Sequence, residues 1–150
     1  MLPDTTTRVE ANTAEAINQR IARDTEDRIR FYAANPHQIH RRLKELDEEW
    51  DIERTLETNA SALALLGVAL GAFVNKRLLA LPALVAGFLL QHALQGWCPP
   101  VPLFRRRGVR TATEIERERY ALKALRGDFQ PIARSASNEV ATATVLRAVT

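Results

Sequence analysis

The side chains best suited to chemistry in this 150-residue chain lie close together, near the end of a long apolar stretch. Gln91, Gln95 and Cys98 follow one another at intervals of four and three, so they share one face of a helix, and His92 borders that face. Amides and an imidazole in apolar surroundings need polar partners. We therefore predict a polar path of Gln91, His92 and Gln95 that leads to Cys98, a candidate functional thiol. The alternative is that these side chains reach the polar interface from the last turns of the helix.

Residues around this thiol do not form the loop of a catalytic nucleophile. Rhodanese and phosphatase loops cradle an anion with backbone amides after the cysteine, whereas Pro99, Pro100 and Pro102 carry no amide hydrogen. His37 and His40 are an i,i+3 pair without a third ligand nearby, so we expect no metal site. The chain contains no glycine-rich phosphate loop, GxSxG or HExxH motif. We predict that the protein is not an enzyme and binds no cofactor.

Two uncharged stretches, 58–75 and 78–104, are separated only by Lys76 and Arg77. They hold 18 and 27 residues, and roughly 17 to 25 apolar residues cross a bilayer as a helix. We predict an all-α protein with a two-span transmembrane helical hairpin, 58–75 and 78–97, followed by a Cys-Pro exit segment that ends at residue 104. The alternative is a soluble helical-bundle oligomer with these segments in its core.

Basic residues around the hairpin favour one orientation in the membrane. Six of them lie within about 15 residues of the outer ends, against two in the turn. The N-terminus lacks the pattern of a secretory signal, so the first apolar segment would itself direct insertion. We predict cytoplasmic termini in a bacterial inner membrane. The six residues are Lys44, Arg54, Arg105, Arg106, Arg107 and Arg110.

Charge is unevenly distributed along the chain, whose net charge is +3. Residues 1–57 contain nine basic and 13 acidic side chains, whereas residues 58–150 contain 12 and five. A basic cluster directly follows the second apolar stretch, where anionic headgroups are the nearest phosphates, and no stacking aromatic residues interleave with it. We predict membrane lipid, and not nucleic acid, as its partner. The basic cluster consists of Arg105, Arg106, Arg107 and Arg110.

Small residues recur in both apolar segments at the spacing of close helix contacts in lipid. We predict that these faces pack helices together, either by closing the hairpin on itself or by forming a homodimer or a larger membrane complex. They are Ala60, Ala64, Gly67 and Gly71 in the first segment, and Ala83 and Gly87 in the second.

Residues 1–57 are predicted to be a polar helical extension. Asn12 is placed to cap a helix that runs to about Ala34, and Pro36 suits the first turn of the next helix. Apolar residues at intervals of four, three and four lie on one face of that next helix. This face would either dock on the membrane or a partner, or pack inside the protein. Its residues are Ile39, Leu43, Leu46 and Trp50.

Residues 105–127 are predicted to form a basic cytoplasmic helix. Thr111 and Glu114 have the spacing of a capping box, and Gly127 is placed to end the helix. Residues 128–150 are rich in Ala, Ser and Thr, which predicts a flexible tail with a short apolar group near its end.

Residues 51–110 contain several of these features in one order: Arg54 and Asn59, two apolar helices with a short turn, Gly96-Trp97-Cys98-Pro99, and Gly108. In this order they resemble the YgaP-like transmembrane domain family of bacteria. The resemblance implies a two-helix inner-membrane domain that dimerises and is found beside sulfurtransferase chemistry.

This resemblance implies a non-catalytic anchor or accessory component, associated with the trafficking of sulfur species, with Cys98 as the contact and a sulfurtransferase as a partner. The rhodanese domain fused to some members has no counterpart in this chain. Two alternatives stay open. One is an oligomeric transporter or channel module for a small solute, and the other is a thiol-based redox regulator that acts through Cys98.

Overall fold

A computed structural model describes residue 4 and residues 6–129, and this part of the chain contains helices and no strand. The all-α prediction is confirmed for these residues. Most of the predicted tail, from residue 130 onward, lies outside them. Short 3-10 turns, Pro36–Gln38 and Lys76–Leu79, precede the third and fifth helices. The helices are α1 (Arg8–Ala11), α2 (Glu15–Ala34), α3 (Ile39–Glu48), α4 (Ile52–Phe73), α5 (Ala80–Gln95), α6 (Val101–Arg106) and α7 (Ala112–Arg126).

Local hydrogen bonds explain where α4 and α7 begin. The Asp51 carboxylate accepts a hydrogen bond from the Arg54 amide at 2.8 Å, so α4 starts six residues before the uncharged stretch. Thr111 and Glu114 form the predicted capping box. The Glu114 amide donates to Thr111 Oγ1 at 3.2 Å, and the Thr111 amide donates to Glu114 Oε2 at 2.7 Å.

Asn12 differs from its predicted role as a helix cap. It follows the last residue of α1, and its side-chain amide donates to the backbone oxygens of Arg8 and Gln95, both at 2.8 Å. Asn12 therefore does not cap α2 as predicted. Its side chain instead connects the end of α1 to the end of α5.

The chain divides into two compact units. The first contains the residues up to Arg23 together with Trp50–Ile115, and the second contains Asp24–Glu49 and the residues from Glu116 onward. Helices α2 and α7 each contribute residues to both units. The residues discussed as a functional site all belong to the first unit.

In the second unit, the apolar face of α3 is buried. Ile39, Leu43 and Leu46 are nearly inaccessible to solvent, which favours internal packing over docking on a membrane. The buried Glu118 carboxylate accepts hydrogen bonds from Arg28 Nε at 3.1 Å and Arg42 Nε at 2.8 Å. Two guanidinium groups compensate this buried charge.

In the first unit, α4 and α5 run antiparallel and form what we call the helix pair. The close contact lies near the turn, where a methyl group added to Gly67 would come within 2.6 Å of Pro82 Cδ, and one added to Gly71 within 2.5 Å of Leu79 Cδ2. Only glycine allows the backbone of α4 to approach α5 this closely.

Most of the helix pair's apolar surface is exposed. Two helical stretches are long and apolar enough to cross a membrane, Pro36–Phe73 and Lys76–Gln95. Only 17% and 6% of the most apolar part of these two stretches is buried, so they are not the core helices of a folded monomer. Leu65, Phe73 and Leu90 are among the most exposed side chains.

Arg105 is fully buried and joins the segments that follow the helix pair. Its guanidinium donates to both oxygens of Glu114, at 2.6 and 2.7 Å, and to Asn18 Oδ1 and the Val109 carbonyl, both at 3.0 Å. A bidentate pair of this kind fixes direction as well as distance. We call this group the Arg105 clasp.

Burial alone would raise the pKa of Glu114, but the hydrogen bonds from Arg105 and Thr111 and the charge of Arg105 outweigh it. The pKa of Glu114 therefore lies below its ordinary value, and the pair is ionised at neutral pH.

We predict that Arg105→Lys destabilises the fold by about 1 to 3 kcal/mol, because a lysine keeps the positive charge but leaves part of a buried hydrogen-bonding site unmatched. Arg106→Lys, at the exposed neighbouring position, should change the free energy of unfolding by less than about 0.5 kcal/mol. Thermal unfolding followed by circular dichroism measures both variants. Equal stability of the two would contradict the clasp.

Candidate functional site

The helix pair has three zones along its length. Glu53 and His92 face each other at the end remote from the turn, 2.7 Å apart. Residues 56–63 of α4 and 84–89 of α5 line a cavity in the middle. The glycine contact at residues 67 and 71 closes the pair near the turn.

The end remote from the turn contains a buried ionic group. His92 lies almost wholly inside the protein, and its Nε2 contacts Glu53 Oε2 at 2.7 Å. Arg8 Nη2 donates to the other carboxylate oxygen, Glu53 Oε1, at 2.8 Å. Since a carboxylate only accepts, Nε2 of the imidazole carries the proton in this contact. His92 Nδ1 is buried and has no hydrogen-bond partner in the part of the chain that the structure describes.

Glu53 lies in the first turns of α4, before the uncharged stretch. The hydrogen bond from His92 lowers the pKa of Glu53, burial opposes it, and the charges of His92 and Arg8 lower it further. The net result is a pKa below the ordinary value of a glutamate. The carboxylate is therefore ionised at neutral pH and holds α1 to the start of α4 and the end of α5, at the end of the helix pair remote from the turn.

Gly96 fixes the path of the chain after α5. Its φ of 77° is in the left-handed region that ends many helices, and its amide donates to the His92 carbonyl at 2.7 Å. A methyl group at this position would come within 2.5 Å of the Arg8 backbone carbon. The glycine thus allows the exit from α5 and the close approach of α1.

Cys98 is a core residue of the first unit. It packs in one cluster with Val9, Ile52, Leu56 and Val101. Burial raises the pKa of its thiol, the Val101 amide opposes this, and the negative charge of Glu53 adds to the increase. Since the thiolate is the nucleophile, a protonated and buried thiol is poorly suited to covalent catalysis.

A cavity of about 250 Å³ lies between the two helices on the same side as this thiol. Its lining is almost entirely apolar, and it is partly open to the surface. Asn59 is the one amide in the lining, and its Nδ2 already donates to the Thr55 carbonyl at 2.7 Å. The lining residues are Leu56, Asn59, Ala60, Leu63, Leu84, Val85, Phe88, Leu89, Cys98, Pro99 and Pro100.

The predicted polar residues occupy different surroundings. His92 is buried against Glu53, whereas Gln91 is half-buried and Gln95 is exposed. The backbone carbonyl of Gln95 accepts a hydrogen bond from Asn12. Cys98 faces the cavity. The structure therefore places His92 beside the Glu53 carboxylate and Cys98 in an apolar cluster, so the predicted residues do not form one continuous polar path.

The small residues divide into an inner and an outer group. Gly67 and Gly71 are buried against α5, and Ala60 and Ala64 are half-buried. Ala83 and Gly87 are exposed, and a methyl group added to Gly87 would meet no atom within 4 Å. The glycines of α4 close the helix pair against Pro82 of α5 and against Leu79, the last residue of the 3-10 turn before α5.

The lipid-headgroup assignment of Arg105 and Arg110 is wrong. Both are buried, and the guanidinium of Arg105 is held by Glu114. Glu114, the glutamate of the capping box, neutralises Arg105. A prediction based only on the number of basic residues does not take this partner into account. Arg106 and Arg107 are exposed, and headgroup binding by these two stays a prediction.

Sequence reasoning did not identify Glu53 and Arg8 as site residues. The usable signal was the coincidence of an acidic residue just before one apolar segment and a histidine near the end of the other. In an antiparallel pair these positions meet. Arg8 carried no such signal, because it is 45 residues from Glu53 in the sequence.

Within residues 6–129 and residue 4, no group of three potential metal ligands is present, and His37 and His40 are exposed. Comparisons with family models, curated proteins and solved structures gave no match to this chain.

We predict that lowering the pH destabilises the protein partly through Glu53. A carboxylate with a lowered pKa stabilises the fold fully above the ordinary glutamate value, and that contribution is lost as the pH falls through the lowered value. Glu53→Gln should therefore show a flatter decline of stability below about pH 4 than the wild type.

The matched control for this prediction is Glu57→Gln, one turn further along α4 at an exposed position. It should retain the wild-type dependence on pH. Unfolding curves recorded over a pH series compare the three proteins, and identical slopes for wild type and Glu53→Gln would contradict the role of Glu53.

Proposed function

We propose that this chain is a small integral membrane protein whose helix pair spans the bilayer. The observation that carries the proposal is the exposed apolar surface of α4 and α5, with only 6% of the most apolar part of Lys76–Gln95 buried. Burial of such a surface in hydrocarbon removes it from water without a partner protein. The soluble-bundle alternative would need several copies to cover the same surface.

Lengths and charges support two spans with both termini on one side. The predicted spans, 58–75 and 78–97, hold 18 and 20 residues. As helices they correspond to about 27 and 30 Å, and the hydrocarbon core is about 30 Å thick. The greater number of basic residues outside the turn supports cytoplasmic termini in a bacterial inner membrane.

Within that membrane we propose a non-catalytic anchor or accessory role for the protein, as a homodimer or part of a larger complex. The high pKa of the Cys98 thiol and the scarcity of polar groups in the cavity both count against catalysis. Burial of the thiol also counts against a disulfide bridge between subunits, as the redox-regulator alternative requires.

The resemblance to the YgaP-like transmembrane domain family leads us to propose the trafficking of sulfur species as the process served, with a sulfurtransferase as a partner. Cys98 is the residue through which that role would act. Its position in the lining of the cavity supports contact with a small, weakly polar species. A transporter or channel built from several copies is the second candidate.

We expect the wild-type protein to stay with membranes during extraction with alkaline carbonate. Leu65→Arg places a charge near the middle of the first span, at a cost of about 2.5 to 3.5 kcal/mol for insertion, and should shift protein out of the membrane fraction. Leu103→Arg, exposed but outside the helix pair, should leave the distribution unchanged.

Fractionation of cell membranes, followed by immunoblotting, measures this distribution. If the protein were a soluble oligomer, the wild type, Leu65→Arg and the control would all lie outside the membrane fraction. Recovery of the wild type in the carbonate supernatant would refute the membrane proposal.

The second candidate, a transporter or channel, predicts that hydrosulfide release from proteoliposomes depends on Cys98. Cys98→Ala should reduce it to the level of protein-free liposomes, since the alanine lacks the thiol. Val101→Ala removes packing from the same buried cluster but keeps the thiol, and should retain release. Equal loss in both variants would indicate a packing defect, and no loss in either would refute the role of Cys98.

A further inference from the structure

The cavity in the helix pair is larger than imperfect packing would leave. An engineered apolar cavity of about 150 Å³ stays dry and binds benzene, and the present one measures about 250 Å³. A water molecule needs two to four polar partners in such a space, and the lining offers almost none. An apolar guest is therefore favoured over water.

The mouth of the cavity opens onto the exposed apolar surface of the helices. Leu63 and Leu84 belong to the lining and are themselves about half exposed. The lining on α4 runs from Leu56 to Leu63, about 10 Å along the helix axis. This is about a third of the hydrocarbon thickness, so the cavity takes a part of a chain and not a whole lipid.

Exposed cations lie close in sequence to both segments that line the Cys98 end of this cavity. Arg54 precedes the lining residue Leu56 by two positions, and its guanidinium lies 4.4 Å from the Trp50 ring centre. Arg106 is six residues, about 9 Å of helix, beyond the lining residue Pro100. Arg107 follows it, and all three are exposed. A phosphate at this end would be attracted by several positive charges.

We infer that the cavity binds one acyl chain of an anionic phospholipid, with the headgroup at Arg54, Arg106 and Arg107. The apolar lining selects the chain, and the cations at the same end select the charge of the headgroup. This inference rests on the proposed membrane location. It gives the helix pair a lipid partner in the space left between the tight glycine contact and the Glu53–His92 pair. A sulfur species that reaches Cys98 through this cavity would have to displace the acyl chain.

Native mass spectrometry of the detergent-purified protein, incubated with phosphatidylglycerol or with phosphatidylcholine of the same chains, tests the inference. We expect one phosphatidylglycerol retained per chain and clearly less phosphatidylcholine. Ala60→Leu fills the cavity from α4 and should abolish retention. Ala83→Leu adds the same atoms on an exposed part of α5 outside the lining and should not.

Headgroup selection is tested by a second pair of variants. Arg106→Gln combined with Arg107→Gln should weaken phosphatidylglycerol binding by about fivefold for each arginine removed. Lys76→Gln combined with Arg77→Gln removes equal charge at the turn and should change nothing. If Ala60→Leu does not fold by circular dichroism, these double variants decide the question.

Three outcomes would overturn the inference: equal retention of the two lipids, unchanged retention in Ala60→Leu, or a dimer that retains no lipid and so fills the cavity with a second copy. Each can occur while the wild type resists carbonate extraction, so lipid binding can fail with the membrane proposal intact. Loss of carbonate resistance would remove both.

Discussion

A buried guanidinium is the constraint on which the first unit depends. Removing a charge from water is expensive unless it is fully hydrogen-bonded. Arg105 meets that condition only when Asn18 of α2, Val109 in the loop after α6 and Glu114 in the first turn of α7 come together. Burial of Arg105 therefore requires these segments to be in place together. It also places α6 so that the preceding Cys98–Pro100 segment lies against the cavity.

The helix pair follows from three different interactions arranged in order. Glycine backbones approach α5 near the turn, an ionic contact of Glu53 with His92 joins the opposite ends, and the middle is left open. The interactions set different separations between the backbones of α4 and α5. The glycines bring the backbones together, whereas two long polar side chains, Glu53 and His92, span a wider gap. An opening between them results from this difference in spacing.

The features that the sequence made predictable are local or periodic. The capping box at Thr111 depends on four consecutive residues, and two long uncharged stretches yield helices whatever surrounds them. The partners of Arg105 and Glu53 were not predictable in this way, because they lie up to 92 residues away in the sequence. A run of arginines suggested a lipid-facing surface, since sequence shows charge but not burial. The face of α3 allowed two interpretations until Ile39, Leu43 and Leu46 were found buried; Trp50, assigned to the same face, lies beyond the end of α3 and is exposed.

Gly96 has a consequence for how variation along the chain should be interpreted. The residue combines a left-handed backbone with an approach to Arg8 that leaves no space for a side chain. Even the smallest replacement would push α1 outward and draw Arg8 away from the Glu53 carboxylate. A change that removes no functional group could thus mimic truncation of the first ten or so residues. A glycine retained at position 96 would therefore reflect the packing of the amino-terminal segment, and not the chemistry of the neighbouring Cys98 thiol.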